Sequence, residues 1–163
     1  MFTLISPIGH KNHELVDAIS DEIFRVFKCP PRISSLLPDI SFAYHVERDQ
    51  YHSTVILDRL ASSAPKDAQK VLAITEEDLF IPILTHVYGE AQLGGKASIV
   101  STYRLGDGLS GATRPDAFRC RVLKEAVHEL GHTYKLRHCR DQTCIMHYCR
   151  TVEDVDRKSL QLC

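Results

Sequence analysis

The sequence predicts an α/β fold, a mixed sheet with helices packed against it, followed by a small C-terminal subdomain. Three observations lead there. Short apolar runs that suit strands alternate with segments whose apolar residues recur at helical spacing, the interleaving expected of a sheet covered by helices. With 163 residues, 44% hydrophobic and 25% charged, the chain fits one domain with a real core. Cys139, Cys144, Cys149 and Cys163 crowd into the tail, which marks residues 135–163 off from residues 1–134 within that single domain.

Each element has a local reason. Phe2 to Ile8 is an apolar run stopped by Gly9, hence a strand. From Lys11 or Asn12 to Phe27, the residues Leu15, Ile19, Ile23 and Phe27 recur at helical spacing, and Cys29-Pro30-Pro31 ends the helix. Ile40 to Val46 reads as a second strand, Tyr51 to Ala61 as a helix, and Lys70 to Thr75 as a strand. Pro82 makes Leu79 to Leu84 an edge strand or a loop. Val87 to Leu93 and Ala97 to Arg104 flank Gly94-Gly95-Lys96 as a hairpin. That Gly-Gly-Lys lacks the upstream glycine and following hydroxyl residue of a phosphate loop. Leu105 to Gly111 is a loop, Arg114-Pro115 opens a long helix to about Tyr134, Lys135 to Cys149 is irregular, and Val152 to Leu162 is a last helix.

The gross features exclude several roles. A net charge of −1 without a basic block leaves no footprint for nucleic acid. No apolar run approaches the roughly 18 residues of a membrane span. Met1 to Gly9 lacks a charged start and a cleavage site, so the expected location is cytoplasmic, where thiols stay reduced and clustered cysteines favour metal over disulfide. A monomer is expected.

Chemistry concentrates in His128-Glu129-Leu130-Gly131-His132, with His138 six residues further on. Residues four apart on a helix share a face, so His128 and His132 can offer ring nitrogens to one ion. His138 would be the third ligand once the helix has turned. Three protein ligands leave a fourth position for water, the pattern of a catalytic zinc, which lowers the pKa of that water toward about 7. Glu129 projects beside the pair and suits the role of general base. A bare HExxH also arises by chance on amphipathic helices; the third histidine is what raises the signal.

His128-Glu129-x-x-His132 with His138 resembles the extended zinc motif of the metzincin metallopeptidases. Met146, eight residues after His138, fits the methionine that metzincins carry in a turn beneath the zinc. Cys139 directly after the third histidine, Cys144 and then Met146 resemble the archaemetzincin family in particular, as do the segments from Val87 and from Ile99. The resemblance covers most of the chain and is specific in its last third. It implies a mixed twisted sheet with a backing helix and an active-site helix, a peptide substrate, and a zinc-stapled C-terminal subdomain. It also implies two zinc ions per chain, one catalytic and one structural. The family usually has glycine three residues after the second histidine, where this chain has Lys135. A left-handed lysine costs roughly 1–2 kcal/mol, so either the turn carries that cost or it has another shape. Met146-His147-Tyr148 also resembles the turn of astacin-like metzincins, which makes Tyr148 a candidate oxyanion stabiliser, with a structural tyrosine as the alternative.

For the structural zinc, Cys139 and Cys144 are one pair of ligands and Cys163 lies near the offset of the family's next pair. Cys149 is the candidate fourth ligand, a longer native chain or another ligand being the alternatives. Because His138 and Cys139 are adjacent, each ion would brace the other's ligand loop, and folding of the tail should depend on zinc. His10, His13, His45, His52 and His86 lack metal spacing, and Cys29 and Cys120 suit packing. The strand from Val87 to Leu93 is a candidate edge for an extended peptide, with Arg104 and Asp107 as possible cleft residues. The expected function is that of a zinc metallopeptidase, exo or endo undecided. A peptide-binding or regulatory zinc protein with little turnover is the alternative, and the presence of Glu129 argues against it.

Overall fold

A computed structural model describes residues 1–9 and 11–163; the expectation for His10 falls outside the described residues. In chain order the elements are β1 (Phe2–Ile8), α1 (His13–Phe27), β2 (Pro31–Ile33), a 3-10 turn (Ser41–Ala43), β3 (Tyr44–His45), β4 (Gln50–His52), α2 (Ser53–Ser63), β5 (Ala68–Thr75), β6 (Leu79–Phe80), β7 (Gly89–Ala91), β8 (Ala97–Ser101), α3 (Arg114–Thr133) and α4 (Val152–Arg157).

The main sheet has the order β2-β1-β5-β8-β7. β1, β2, β5 and β8 run parallel, and β7 alone is antiparallel, at the edge. Strands buried on both faces read as continuous apolar runs, as β1 and β5 do. Alternation sorts their side chains between two cores. Ile5, Leu72, Ile74 and Val100 face α1 and α3. Leu4, Val71, Ala73 and Ile99 face Ile56, Leu57 and Leu60 of α2. The sheet is thus sandwiched between helices, and the C-terminal tail joins the α1–α3 side through Cys144, Ile145, Met146 and Val155. A smaller sheet, β3-β4-β6, carries the segment in front of the main sheet's edge. Among the described residues, no helix is long and apolar enough to cross a membrane.

Most expected elements form, with instructive shifts. Ile40 to Val46 is strand only at Tyr44–His45; Asp39 caps the preceding turn by accepting from the Ser41 N–H at 2.9 Å. α2 starts at Ser53 because Gln50–His52 pairs with β3 and β6 first. The region around Pro82 is strand only at Leu79–Phe80, then turns. The hairpin forms as β7 and β8, shorter at both ends. β2 was not expected, because Pro30-Pro31 reads as a breaker; Pro31 sits at its first residue on a sheet edge, where a missing N–H is tolerated. The last helix ends at Arg157, and Lys158 turns its side chain inward instead of continuing it.

Candidate active site

α3 begins with Pro115 in its first turn and buries one face against the sheet and α1. Its last two turns carry His128 and His132 on one side. Their Nδ1 atoms are committed to backbone carbonyls, His128 to Ile145 O at 2.8 Å and His132 to Leu136 O at 2.7 Å. Each Nδ1 therefore holds the ring proton, and each Nε2 is left as an acceptor. Those two Nε2 atoms face one another at 3.1 Å. Two lone pairs so close repel unless a cation shares them. Zinc–nitrogen distances of about 2.0–2.1 Å put tetrahedral ligands about 3.3 Å apart, so the pair fits a zinc ion. His138 supplies a third nitrogen within 4.8 Å of the others. Burial lowers the pKa of all three rings, His128 furthest, which favours the neutral form that binds metal.

The exit from α3 makes this convergence possible. Lys135 has φ +69°, the left-handed conformation. The Leu136 N–H donates to Gly131 O at 3.2 Å and the Lys135 N–H to His132 O at 2.9 Å, a Schellman cap with lysine in glycine's usual place. Of the two alternatives, the strained turn is the one observed. Gly94 accommodates it: a Cβ there would lie 2.9 Å from Lys135 Cγ, so the lysine stem lies over a bare backbone.

Glu129 points to the opposite wall of the cleft, where Gly89 of β7 makes room. A Cβ at Gly89 would meet Glu129 Cγ at 2.6 Å and Ile99 O at 2.5 Å. Burial pushes the Glu129 carboxyl well above its ordinary range, and Glu125 adds to the shift. The cleft between β7 and α3 has a volume of about 520 Å³ and includes Glu129, the three histidines and Tyr148 in its lining. Its upper wall is the segment from Ile81 to Val87, held from behind by Arg48, which donates to Leu84 O at 3.0 Å, and by Gln50, which donates to Thr85 O at 2.9 Å. β7 is the edge strand of the main sheet and lines the cleft. Arg104 is instead taken up by Asp78, at 2.7 Å.

Behind His128 lies a buried ion pair that sequence patterning did not single out. Lys158 Nζ is 2.7 Å from Glu125 Oε1 and 3.5 Å from His128 Nδ1, and the lysine side chain is 0% exposed. Burial works against its charge, but Glu125 and Cys149 together raise the Lys158 pKa. Lys124 donates to Val155 O at 3.0 Å, and Arg121 pairs with Asp156 at 2.8 Å. Three cations of or beside these helices thus fasten α4 to α3. A lysine inside a run of charged residues carries no sign of burial; only the fold turns it inward.

Met146 is buried, and its sulfur would lie 2.8 Å from a Cβ at Gly131, so the glycine before His132 lets the methionine seat under the helix. The Cys139 N–H donates to Met146 O at 2.9 Å, and the His147 ring meets Cys139 O at 2.9 Å. Cys139, Cys144 and Cys163 come together with their sulfurs within 4.8 Å of one another, a set that could hold a metal. Burial alone would raise Cys144, yet hydrogen bonds from the Met146 and Cys163 backbone and from the neighbouring thiols lower its pKa, favouring thiolate. Cys149 does not join them, which corrects its expected place as fourth ligand. It lines the cleft, its thiol meets His147 O at 3.5 Å, and burial pushes its pKa up to about 11, a thiol rather than a thiolate. Its alternation with Tyr148 turns it toward Glu125 and Lys158, away from the other cysteines. Tyr148 stands 40% exposed, its ring 5.1 Å from that of His138.

A family model described as peptidase family M54 matches residues 19–163. The archaemetzincin of Haloarcula marismortui is 36% identical over 165 residues, covering 98% of this chain and 93% of that protein. The crystal structure of the archaemetzincin of Archaeoglobus fulgidus complexed with malonate is similar with a TM-score of 0.81 at 31% identity, over 100% of this chain and 96% of that one. A zinc-dependent peptidase from Methanocorpusculum labreanum gives a TM-score of 0.85 at 25% identity, over 99% and 95%. Since the match takes in α3, the cleft and the cysteine tail, the chain belongs to peptidase family M54, the family of the archaemetzincin metallopeptidases.

Proposed function

We propose that the chain hydrolyses peptide bonds at the cleft between β7 and α3, with His128, His132 and His138 as ligands of a catalytic zinc and Glu129 as general base. The observation that carries this is the facing pair of Nε2 acceptors at 3.1 Å, with both Nδ1 protons fixed on carbonyls. When bound, zinc supplies Lewis acidity toward water and a peptide carbonyl. Glu129 takes a proton from water and returns it to the departing amine. β7 offers its free edge to an extended peptide backbone, and Gly89 keeps that approach open beside Glu129. Tyr148 stands at the mouth, beside His138, where its hydroxyl can donate to the developing oxyanion. Met146 forms the floor.

Cys139, Cys144 and Cys163 hold a second, structural zinc, which ties three separated stretches of the tail and braces the His138 loop. The protein works as a monomer in the cytoplasm, where its thiols remain reduced. A diverse peptide library incubated with zinc-loaded wild type and with Glu129→Ala tests the catalytic assignment. Products are expected from wild type alone; identical traces from both proteins would make this a peptide-binding protein instead.

A further inference from the structure

We infer that Arg150 is a specificity-determining residue that selects substrates carrying a carboxylate within about three residues of the scissile bond. The inference rests on the peptidase reading above. Four Glu and Arg side chains line the cleft, and three of them are already engaged. Glu90 is occupied, accepting from the Ser53 hydroxyl and, at 2.9 Å, from that of Thr54. Glu125 is paired with Lys158. Glu129 is wedged against Gly89. Arg150 is the remaining full charge in the lining, and among the described residues its guanidinium has no ion pair and no hydrogen bond.

Asp154, whose carboxylate meets the Arg150 backbone, is already taken up. Asp154 accepts from the Arg150 and Thr151 backbone N–H groups, at 3.0 and 3.2 Å, and pairs with Arg157. That same contact fixes the Arg150 backbone while its exposed side chain stays available. The guanidinium carbon lies 6.0 Å from the Tyr148 ring, and that ring 5.1 Å from the His138 ring. The guanidinium is therefore at most about 11 Å from the His138 ring, and extended chain advances about 3.3–3.6 Å per residue. A guanidinium binds a carboxylate through two parallel hydrogen bonds, a geometry that neither an amide nor an alcohol reproduces. The carboxylate can belong to an acidic side chain or to the peptide's own C-terminus.

The test pairs peptides that differ only by Asp/Asn or Glu/Gln at each position within three residues of the cleaved bond, each made as free acid and as C-terminal amide. Wild type, Arg150→Gln and Arg150→Lys are compared for turnover. Binding of the same peptides to Glu129→Gln, with and without Arg150→Gln, is followed by fluorescence anisotropy. We expect wild type to favour one carboxylate peptide about tenfold or more, chiefly in KM. Arg150→Gln should erase the preference and Arg150→Lys restore part of it. Sensitivity to amidation identifies the C-terminus as the source; sensitivity to Asn or Gln identifies a side chain. Carboxylate-dependent binding that needs Arg150, without any turnover by wild type, would uphold the inference and overturn the peptidase reading. An equal preference with and without Arg150, or none in wild type, would overturn the inference.

Discussion

The histidine cluster and the cysteine cluster meet at one peptide bond, between His138 and Cys139, yet they are built differently. Two of the histidines ride on a twenty-residue helix, and their rings are aimed by carbonyls of the tail. The three cysteines come from irregular chain, and Cys163 is exposed. A rigid element with prearranged donors and an open cleft suits a metal that does chemistry. Loose segments gathered by sulfur suit a metal that supplies the folding energy itself. The contrast teaches that adjacency in sequence need not mean equivalence in role.

Metal removal should break the comparison most visibly. Chelation is expected to cost several kcal/mol, concentrated in residues 135–163. Hydrogen exchange should then quicken at Ile145 and Met146 while β1, β5 and β8 stay protected. Uniform loss of protection would erase the distinction between the two regions.

Glu129→Gln separates activity from stability. Turnover should fall by about 10²–10⁴-fold. Stability of the metal-free protein should move the other way. Burial raises the Glu129 pKa above its ordinary 4.5, so between the two values the folded state holds more protons than the unfolded state. Wild-type stability is therefore lost as pH rises through that window. Removing the carboxyl should stabilise the metal-free protein near neutral pH, and denaturant melts at pH 4 and 7 should show the gain shrinking in acid.

Gly89→Ala probes the cleft wall. Its Cβ would collide with Ile99 O and with Glu129. A cost of about 1–3 kcal/mol and a drop in kcat are expected, with zinc content unchanged. Tyr148→Phe should lower kcat by about tenfold to a hundredfold and leave the melting temperature alone; full turnover would return Tyr148 to a structural role. Smallest is Lys135→Gly, which relieves a positive φ and should stabilise by about 0.5–1 kcal/mol in a thermal melt.

Local pattern carried the helix of Arg114–Thr133 and the spacing of its histidines, because helical periodicity is a property of neighbouring residues. The hairpin around Gly94-Gly95 was legible for the same reason. The left-handed turn at Lys135 was legible only through the resemblance, as a departure from the family's usual glycine. What escaped depends on distant chain. Gly89 matters only because β7 lies against α3, and Gly131 only because Met146 returns beneath it. Lys158 looks like a surface lysine until α4 docks. Cys149 had the right element and neighbourhood for a ligand, but a step of one residue in irregular chain turned it from the thiolates to the cleft.

Two adjacent clusters holding two zinc ions with separate duties would show in the metal content of variants. Elemental analysis of purified wild type, His132→Ala and Cys144→Ser tests it directly. Two zinc ions per chain are expected in wild type and one in each variant, with the histidine variant still cooperatively folded and the cysteine variant destabilised. A single zinc in wild type, or loss of both ions from His132→Ala, would contradict the two-zinc assignment.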